Sequence, residues 1–235
     1  MSENQENNEL IEKMFNAGAH FGYSRSRRHP SMKKAVYGVK NNMEIIDLEK
    51  SAEALTAVEK FVASLAAEGK KILFIGSKNQ ARDIVEKEAA RIGAPNVKNR
   101  WVGGTLTNFD EIKKRILRFQ ELSDKKEKGE LGMYTKKERL LIDRDIENLN
   151  RKFGGLVSMT EALPSALFVV DSKHEQIAVD EAKQLGIPVI ALSNSDCDVK
   201  GIKYVIPGND SACASIQFFT GRIVDAYKGA QKAKK

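Results

Sequence analysis

A chain of 235 residues, 41% of them hydrophobic, builds one large domain or one domain carrying an insertion around a sizeable core. Its formal charge of +7 biases it toward polyanions, because clustered Lys and Arg gain affinity by releasing counterions from phosphate backbones. Two cysteines, Cys197 and Cys213, are too few for a disulfide framework and lack zinc-site spacing, and no apolar run approaches the roughly 18 residues of a membrane span. Free thiols, no metal, no cofactor and a cytoplasmic setting are therefore expected, in keeping with a polar, acidic opening over residues 1–8 that is unlike a secretory leader.

Residues 10–17 read as a short helix, and Gly18 opens an irregular basic stretch through Ser31. Between Glu12 and Glu44 there is no acid, while Lys13, Arg25, Arg27, Arg28, Lys33, Lys34 and Lys40 supply seven positive charges, equal to the whole net charge. Residues 35–39 and 43–47 read as two short strands joined at Lys40, Asn41 and Asn42, the pattern of a hairpin turn. Leu48, Ala52, Leu55, Val58, Val62 and Leu65 then recur at spacings of three and four, one buried stripe of a helix ended by Gly69.

Residues 71–75 form the next expected strand, followed by a helix with Ala81, Ile84, Val85, Ala89 and Ile92 on one face and Gly93 at its end. The alternation resumes with a strand at 166–170, a helix at 174–185 stopped by Gly186, strands at 187–192 and 202–206, and a last helix marked by Ala212, Ile216, Phe219, Ile223 and Ala226. Strands alternating with helices of this length predict an α/β domain with a mostly parallel, Rossmann-like sheet covered on both faces. A basic tail with Lys228, Lys232, Lys234 and Lys235 closes the chain, and both basic ends are expected to order only on meeting phosphates.

The middle breaks the rhythm. Phe109, Ile112, Ile116 and Phe119, then Ile142, Ile146, Leu149 and Phe153, form two narrow heptad-like seams that pair with each other. Asn108 with Glu111 and Thr135 with Glu138 both fit helix-starting capping boxes. Residues 108–153 are thus predicted to be an antiparallel coiled-coil hairpin with its tip near 123–134, inserted into a globular domain made of 1–107 and 154–235. From Asp110 to Lys152 there are 13 Lys or Arg and 10 Asp or Glu, chiefly a solvated surface, with contact to RNA or protein as the sharper reading and Lys113, Lys114, Lys136 and Lys137 as its RNA contacts.

Doubly wound sheets bind ligands beyond the carboxyl ends of their strands. There, Gly76-Ser77-Lys78-Asn79-Gln80 lacks both the dinucleotide G-x-G-x-x-G spacing and the G-K-[ST] order of a phosphate loop. Asp171 follows its strand without an obvious partner and reads as a turn or helix cap. His20, His29 and His174 share no metal-ligand spacing, and no Ser or Cys lies in a nucleophile elbow. A nucleotide- or sugar-binding enzyme would need Gly76, Ser77, Asp171 and Asp210 to converge around one cleft; otherwise the chain is not an enzyme.

Three strings exceed what packing requires. Gly18-Ala19-His20-Phe21-Gly22-Tyr23 precedes Arg25, Arg27 and Arg28; Phe21 reads as core, and the arginines as RNA contacts. Arg100-Trp101-Val102-Gly103-Gly104-Thr105-Leu106-Thr107-Asn108 places the single Trp as a wedge and a Gly pair for close backbone approach at the joint before residue 109, with Arg100 as a further RNA contact. Pro207-Gly208-Asn209-Asp210 ends a strand, where free amides could hold a phosphate or a capped turn could form.

Together with Ile45-Ile46-Asp47-Leu48, Pro164-Ser165-Ala166-Leu167-Phe168-Val169-Val170-Asp171 and Gly186-Ile187-Pro188-Val189, these strings resemble the signature segments of the bacterial small-subunit ribosomal protein two family, in the family's order over residues 10–227. The resemblance implies a Rossmann-like domain with a protruding helical hairpin, no enzymatic activity, and a monomer when free. It further implies contact with small-subunit ribosomal RNA and with neighbouring proteins, including the messenger-binding ribosomal protein one. Tyr23 and Arg28-His29 depart from the family's usual residues, and the added charge at Arg28 favours phosphate.

Overall fold

The computed structural model describes residues 3–233, so Lys234 and Lys235 of the basic tail lie outside the described residues. Helix α1 (Glu3–Asn16) is followed by β1 (Phe21–Ser24), β2 (Val36–Lys40) and β3 (Met43–Ile46), which pair antiparallel in the order β1-β3-β2. The predicted hairpin is present: Asn41 and Asn42 take φ of 50° and 64°, a conformation that Asn tolerates better than most residues. The basic stretch expected to be irregular is instead folded, holding β1 and two 3-10 turns, Arg25–Arg27 and Pro30–Ala35.

The main sheet is built as the alternation predicts. Helix α2 (Leu48–Ala67), capped by Asp47 accepting from the Glu49 amide at 3.1 Å, leads to β4 (Ile72–Ile75), α3 (Asn79–Ala90) and β5 (Asn96–Val97). Helices α4 (Phe109–Glu127) and α5 (Lys136–Phe153) intervene, then β6 (Ala166–Val170), α6 (Gln176–Gln184), β7 (Val189–Ser193), β8 (Tyr204–Pro207) and α7 (Cys213–Ala233). The five strands run parallel in the order β5-β4-β6-β7-β8. The two-residue β5 is too short to announce itself in the sequence.

Because successive side chains on a strand point to opposite faces, the sheet feeds two cores. Ile72, Phe74, Phe168 and Ile190 pack with α2, α3 and α7, whereas Leu73, Ile75, Leu167, Val169 and Ala191 pack with α6, Trp101, Leu106 and the sheet-proximal parts of α4 and α5. Every residue of β6 and β7 is buried, as expected of central strands covered on both faces. No helix among the described residues is long and apolar enough to cross a membrane.

Helices α4 and α5 pack on each other, with Ile112, Ile116, Leu149 and Phe153 buried in the second core and ion pairs Arg118–Asp145 and Lys126–Asp143 at 2.8 and 2.7 Å further out. The Thr135–Glu138 capping box forms. The one expected at Asn108 does not: its side chain makes no cap hydrogen bond, and Asp110 and Glu111 supply the negative charge that the helix N-terminus favours.

The joint before α4 is held by one buried carboxylate. Glu181, on α6, accepts from Trp101 Nε1 at 3.1 Å and from the amides of Gly104, Leu106 and Thr107 at 2.8, 2.9 and 3.2 Å. Gly104 sits at φ +86°, which presents its amide to Glu181 without the steric cost a side chain would bring. Burial opposes ionisation of Glu181, but the Trp101 and amide hydrogen bonds outweigh it and hold its pKa below the ordinary range. Trp101 is buried in this joint and tied to α6 through Glu181.

In Glu181→Gln an NH2 group must face backbone N–H donors that now point at an oxygen. The variant is expected to lose about 2 kcal/mol in urea unfolding, the scale of charged hydrogen bonds replaced by unsatisfied donors. A wild-type midpoint would show that the joint is held by packing alone. In the wild type, the contribution of Glu181 is present above its unfolded pKa and fades as pH falls through its lowered folded value.

Candidate functional site

The segments following β4, β6, β7 and β8 bring Lys78, Asp171, Asn194 and Asp210 together at the carboxyl edge of the sheet. Lys78 Nζ lies 2.6 Å from Asp171 and 3.0 Å from Asp210, a carboxylate with no solvent exposure. Asn194 Nδ2 and Ser211 Oγ donate to the other oxygen of Asp210 at 3.2 and 3.1 Å. Asp171 occupies a left-handed φ of +67°, unusual for a side-chain-bearing residue, and is fixed there by accepting from the amides of Lys173 and His174, each at 3.0 Å. It closes the turn after β6, one of the two roles expected of it, and it also has the charge partner that its sequence context did not reveal.

Burial alone would discharge Lys78, yet Asp210 and Asp171 raise its pKa. Burial likewise opposes ionisation of Asp171, but the Lys78 contact keeps its pKa low; for Asp210 burial and the charge of Asp171 prevail and raise it. Cys197, buried beside them, has its thiol pushed up to about 12 by burial and the neighbouring carboxylates. Donor atoms of Asp171, Cys197 and Asp210 lie within 4.8 Å of one another, so by count they could hold a divalent ion. The ammonium of Lys78 already stands between the two carboxylates and burial disfavours the thiolate, a donor set that suits an internal ion pair better than a metal.

The remaining residues of the enzyme reading are committed elsewhere. A side chain on Gly76 would come within 2.8 Å of Val85 and 3.1 Å of Ala81, so glycine serves the packing of α3 on the strand end. Ser77 donates its amide at 3.0 Å, and its hydroxyl, to the buried Glu175.

Within the Pro207–Asp210 string the amides of Gly208 and Asn209 are bonded inside the protein, and Asn209 clamps the N-terminal string. Asn209 donates its backbone amide to the carbonyl of Ala19 and its side-chain amide to that of Gly18, both at 3.0 Å. Ser51 donates to the Pro207 carbonyl at 2.7 Å, and Gly208 is needed because a Cβ would meet Phe219 at 2.8 Å and Leu192 at 2.9 Å. Ser195 completes the clamp, its hydroxyl receiving the Tyr23 amide at 3.0 Å and its carbonyl the His29 amide at 2.9 Å.

On this clamp the basic segment is displayed. Arg25, Arg27, Lys33, Lys34 and Lys40 are exposed, with the Arg27 guanidinium 4.7 Å over the Tyr23 ring. Arg28 is turned inward, 3.2 Å from the fully buried Glu44, and so supports the sheet from below. Phe21 departs from its expected place in the core: it is 49% exposed, because the inward position of β1 belongs to Gly22, where a Cβ would lie only 3.0 Å from the Glu44 carbonyl oxygen. His20 stacks on Phe15 with the Phe21 ring tilted against it, and burial lowers its pKa. Arg100 is exposed before α4, Gly103 is exposed in the same joint, and Lys113, Lys114, Lys136 and Lys137 are carried on α4 and α5, apart from the clamp, with Lys114 paired to Glu111 at 2.5 Å. Lys78, Glu181, Glu44 and Asn194 organise these sites and carry no local sequence signal of doing so; Lys78 is visible only as the cation just after a buried strand.

Residues 14–230 match the ribosomal protein S2 family. The chain belongs to that family. It is 42% identical over 219 residues to the small ribosomal subunit protein uS2 of Geotalea uraniireducens (strain Rf4), covering 93% of this chain and 85% of that protein. Identity to the uS2 proteins of Desulforapulum autotrophicum and Roseiflexus sp. (strain RS-1) is 44% over 216 and 43% over 213 residues, covering 92% and 91% of this chain and 77% and 81% of theirs. Membership in the ribosomal protein S2 family implies a structural, non-enzymatic role in the small ribosomal subunit and in translation.

In this S2 chain, Lys78→Met would leave two buried carboxylates without their cation. The expected loss is about 3–5 kcal/mol at neutral pH, the scale for breaking a buried pair. Carboxylates stranded in this way have raised pKa values, so the folded state binds more protons than the unfolded one and stability recovers as pH falls. Urea unfolding of the variant at neutral and mildly acidic pH checks this, and a loss that does not shrink with acid would refute the ion-pair account.

Proposed function

We propose that the chain is a structural component of the small ribosomal subunit that binds ribosomal RNA chiefly through Arg25, Arg27, Lys33, Lys34 and Lys40. The observation that carries the reading is the acid-free run between Glu12 and Glu44, folded and pinned to the sheet edge by Asn209 and Ser195 with these cations exposed. A preordered cationic surface meets phosphates without first having to order its backbone. Arg28 contributes by positioning β3 through Glu44, while Arg100, Lys113, Lys136 and Lys137 supply outlying contacts.

In this reading residues 1–107 and 154–235 form the globular domain, and 108–153 form an antiparallel coiled-coil hairpin inserted into it. The packed faces of α4 and α5 and the ion pairs along them support that division. The hairpin reaches neighbouring RNA or protein, the chain is a monomer when free, and on the subunit it supports docking of ribosomal protein one. Nothing in the carboxyl-edge cluster favours catalysis, since its one ammonium is committed to both of its carboxylates.

Sedimentation of a lysate through sucrose gradients tests the assignment. The chain should co-migrate with small subunits and be partly released at high salt. Replacing Arg25, Arg27, Lys33 and Lys34 by Ala should weaken incorporation and flatten the salt dependence of RNA affinity by about 0.7–0.9 in log–log slope per phosphate contact removed. Undiminished incorporation of that variant would exclude the segment as the main RNA contact.

A further inference from the structure

The three-stranded sheet exposes a face that phosphate neutralisation does not explain. Residues opposite each other in an antiparallel ladder share a face, and β3 pairs Ile45 with Phe21 and Gly38, and Met43 with Ser24 and Lys40. The outer face therefore holds two rows, Phe21–Ile45–Gly38 and Ser24–Met43–Lys40, while Glu44 and Ile46 point inward and are buried. Gly38 leaves one end of the first row open, with nothing within 4 Å of where a Cβ would stand. Phe21, Met43 and, on the adjoining helix, Phe15 remain 49%, 42% and 58% exposed.

Two of the rings are already stacked. Phe15 and His20 lie nearly parallel, 4.4 Å apart with an interplanar angle of 10°, and Phe21 follows at 4.0 Å from His20, tilted by 39°. Lys40 borders the Met43 row and Arg25 follows Ser24 directly, so cations line the apolar floor, and no acid other than the buried Glu44 lies on these three strands. A protein partner would gain from the apolar atoms but would have to bring acids to match that rim. A single-stranded nucleic acid brings flat bases for the rings and phosphates for the cations together.

We infer that this outer face is a stacking platform for an unpaired base of single-stranded RNA, which packs on the exposed rings of the Phe15–His20–Phe21 cluster while Lys40 and Arg25 hold the flanking phosphates. The inference rests on the RNA-binding reading above and narrows it to unpaired strands at this face. Stacking itself releases no counterions, so the rings add affinity for single strands without adding to the salt slope, which Lys40 and Arg25 carry.

The test uses the full chain and a labelled oligoadenylate, compared by fluorescence anisotropy with a blunt RNA duplex of the same length. Phe15→Leu with Phe21→Leu is expected to weaken single-strand binding about tenfold, leave duplex binding unchanged and leave the salt slope unchanged. Gly38→Leu places a side chain in open space on the same face and should reproduce the loss; circular dichroism confirms that each variant is folded. Arg25→Ala with Arg27→Ala should weaken single strand and duplex alike and lower the slope. If the arginine variant behaves so while the phenylalanine and Gly38 variants bind single strands like wild type, the platform is overturned and the RNA-binding reading stands. If wild type binds neither RNA, both fall. If the phenylalanine variant keeps its RNA affinity but fails to enter subunits, a protein occupies this face and the platform is overturned.

Discussion

An ammonium group cannot be buried alone, and much of this molecule is arranged around the burial of Lys78. Its two anions come from segments that follow different strands, Asp171 after β6 and Asp210 after β8, so one ion pair cluster ties together the ends of strands that are far apart in sequence. The cost of removing three charges from water is offset only because each is met at hydrogen-bond distance and Asn194 and Ser211 satisfy the remaining acceptor. Closing the edge in this way also fixes Asn209, the residue before Asp210, which holds residues 18 and 19. The position of the basic segment thus descends from an electrostatic requirement inside the sheet.

Glu181 plays the corresponding part on the other face. A carboxylate with several donors converging on it is a stiff joint, since each donor fixes a different backbone position between 101 and 107. That segment is the one from which α4 departs, so the direction of the paired helices is set by α6 through Glu181 before any contact between α4 and α5 is considered. Their mutual packing through Ile112, Ile116, Leu149 and Phe153 then continues the second core outward.

What was legible in the sequence was whatever is encoded locally. The stripe from Ala52 to Leu65 lies on one buried face of α2, the Asn41-Asn42 turn joins β2 to β3, and Thr135 and Glu138 cap α5 reciprocally, because each depends on residues within a turn or two of one another. The strand β1 was not legible: four residues with a glycine have no periodicity to read, and their phase is set by β3, which places Gly22 inward and Phe21 outward. Asn108 carried a valid capping pattern that was not used, since its φ of −125° and ψ of 49° place it outside the usual cap geometry. Lys78, Glu44 and Glu181 read as ordinary charges; their importance comes from partners 16 to more than 90 residues away, which no local window contains.

A ligand-binding sheet and a scaffold sheet can share topology and differ in where their polar groups are left unsatisfied. In an enzyme the carboxyl edge keeps donors and acceptors free for substrate. Here Ser77, Glu175, Asp171, Asp210 and Asn194 are bonded to one another or to Lys78, and the unneutralised charge has moved to a separate surface, residues 25–40. Even the arginine that the sequence offered to phosphate, Arg28, is partly spent inside, against Glu44. The division follows from one constraint: buried charges must be paired, so the cations left to attract a polyanion are those the fold could hold at its surface on a rigid support.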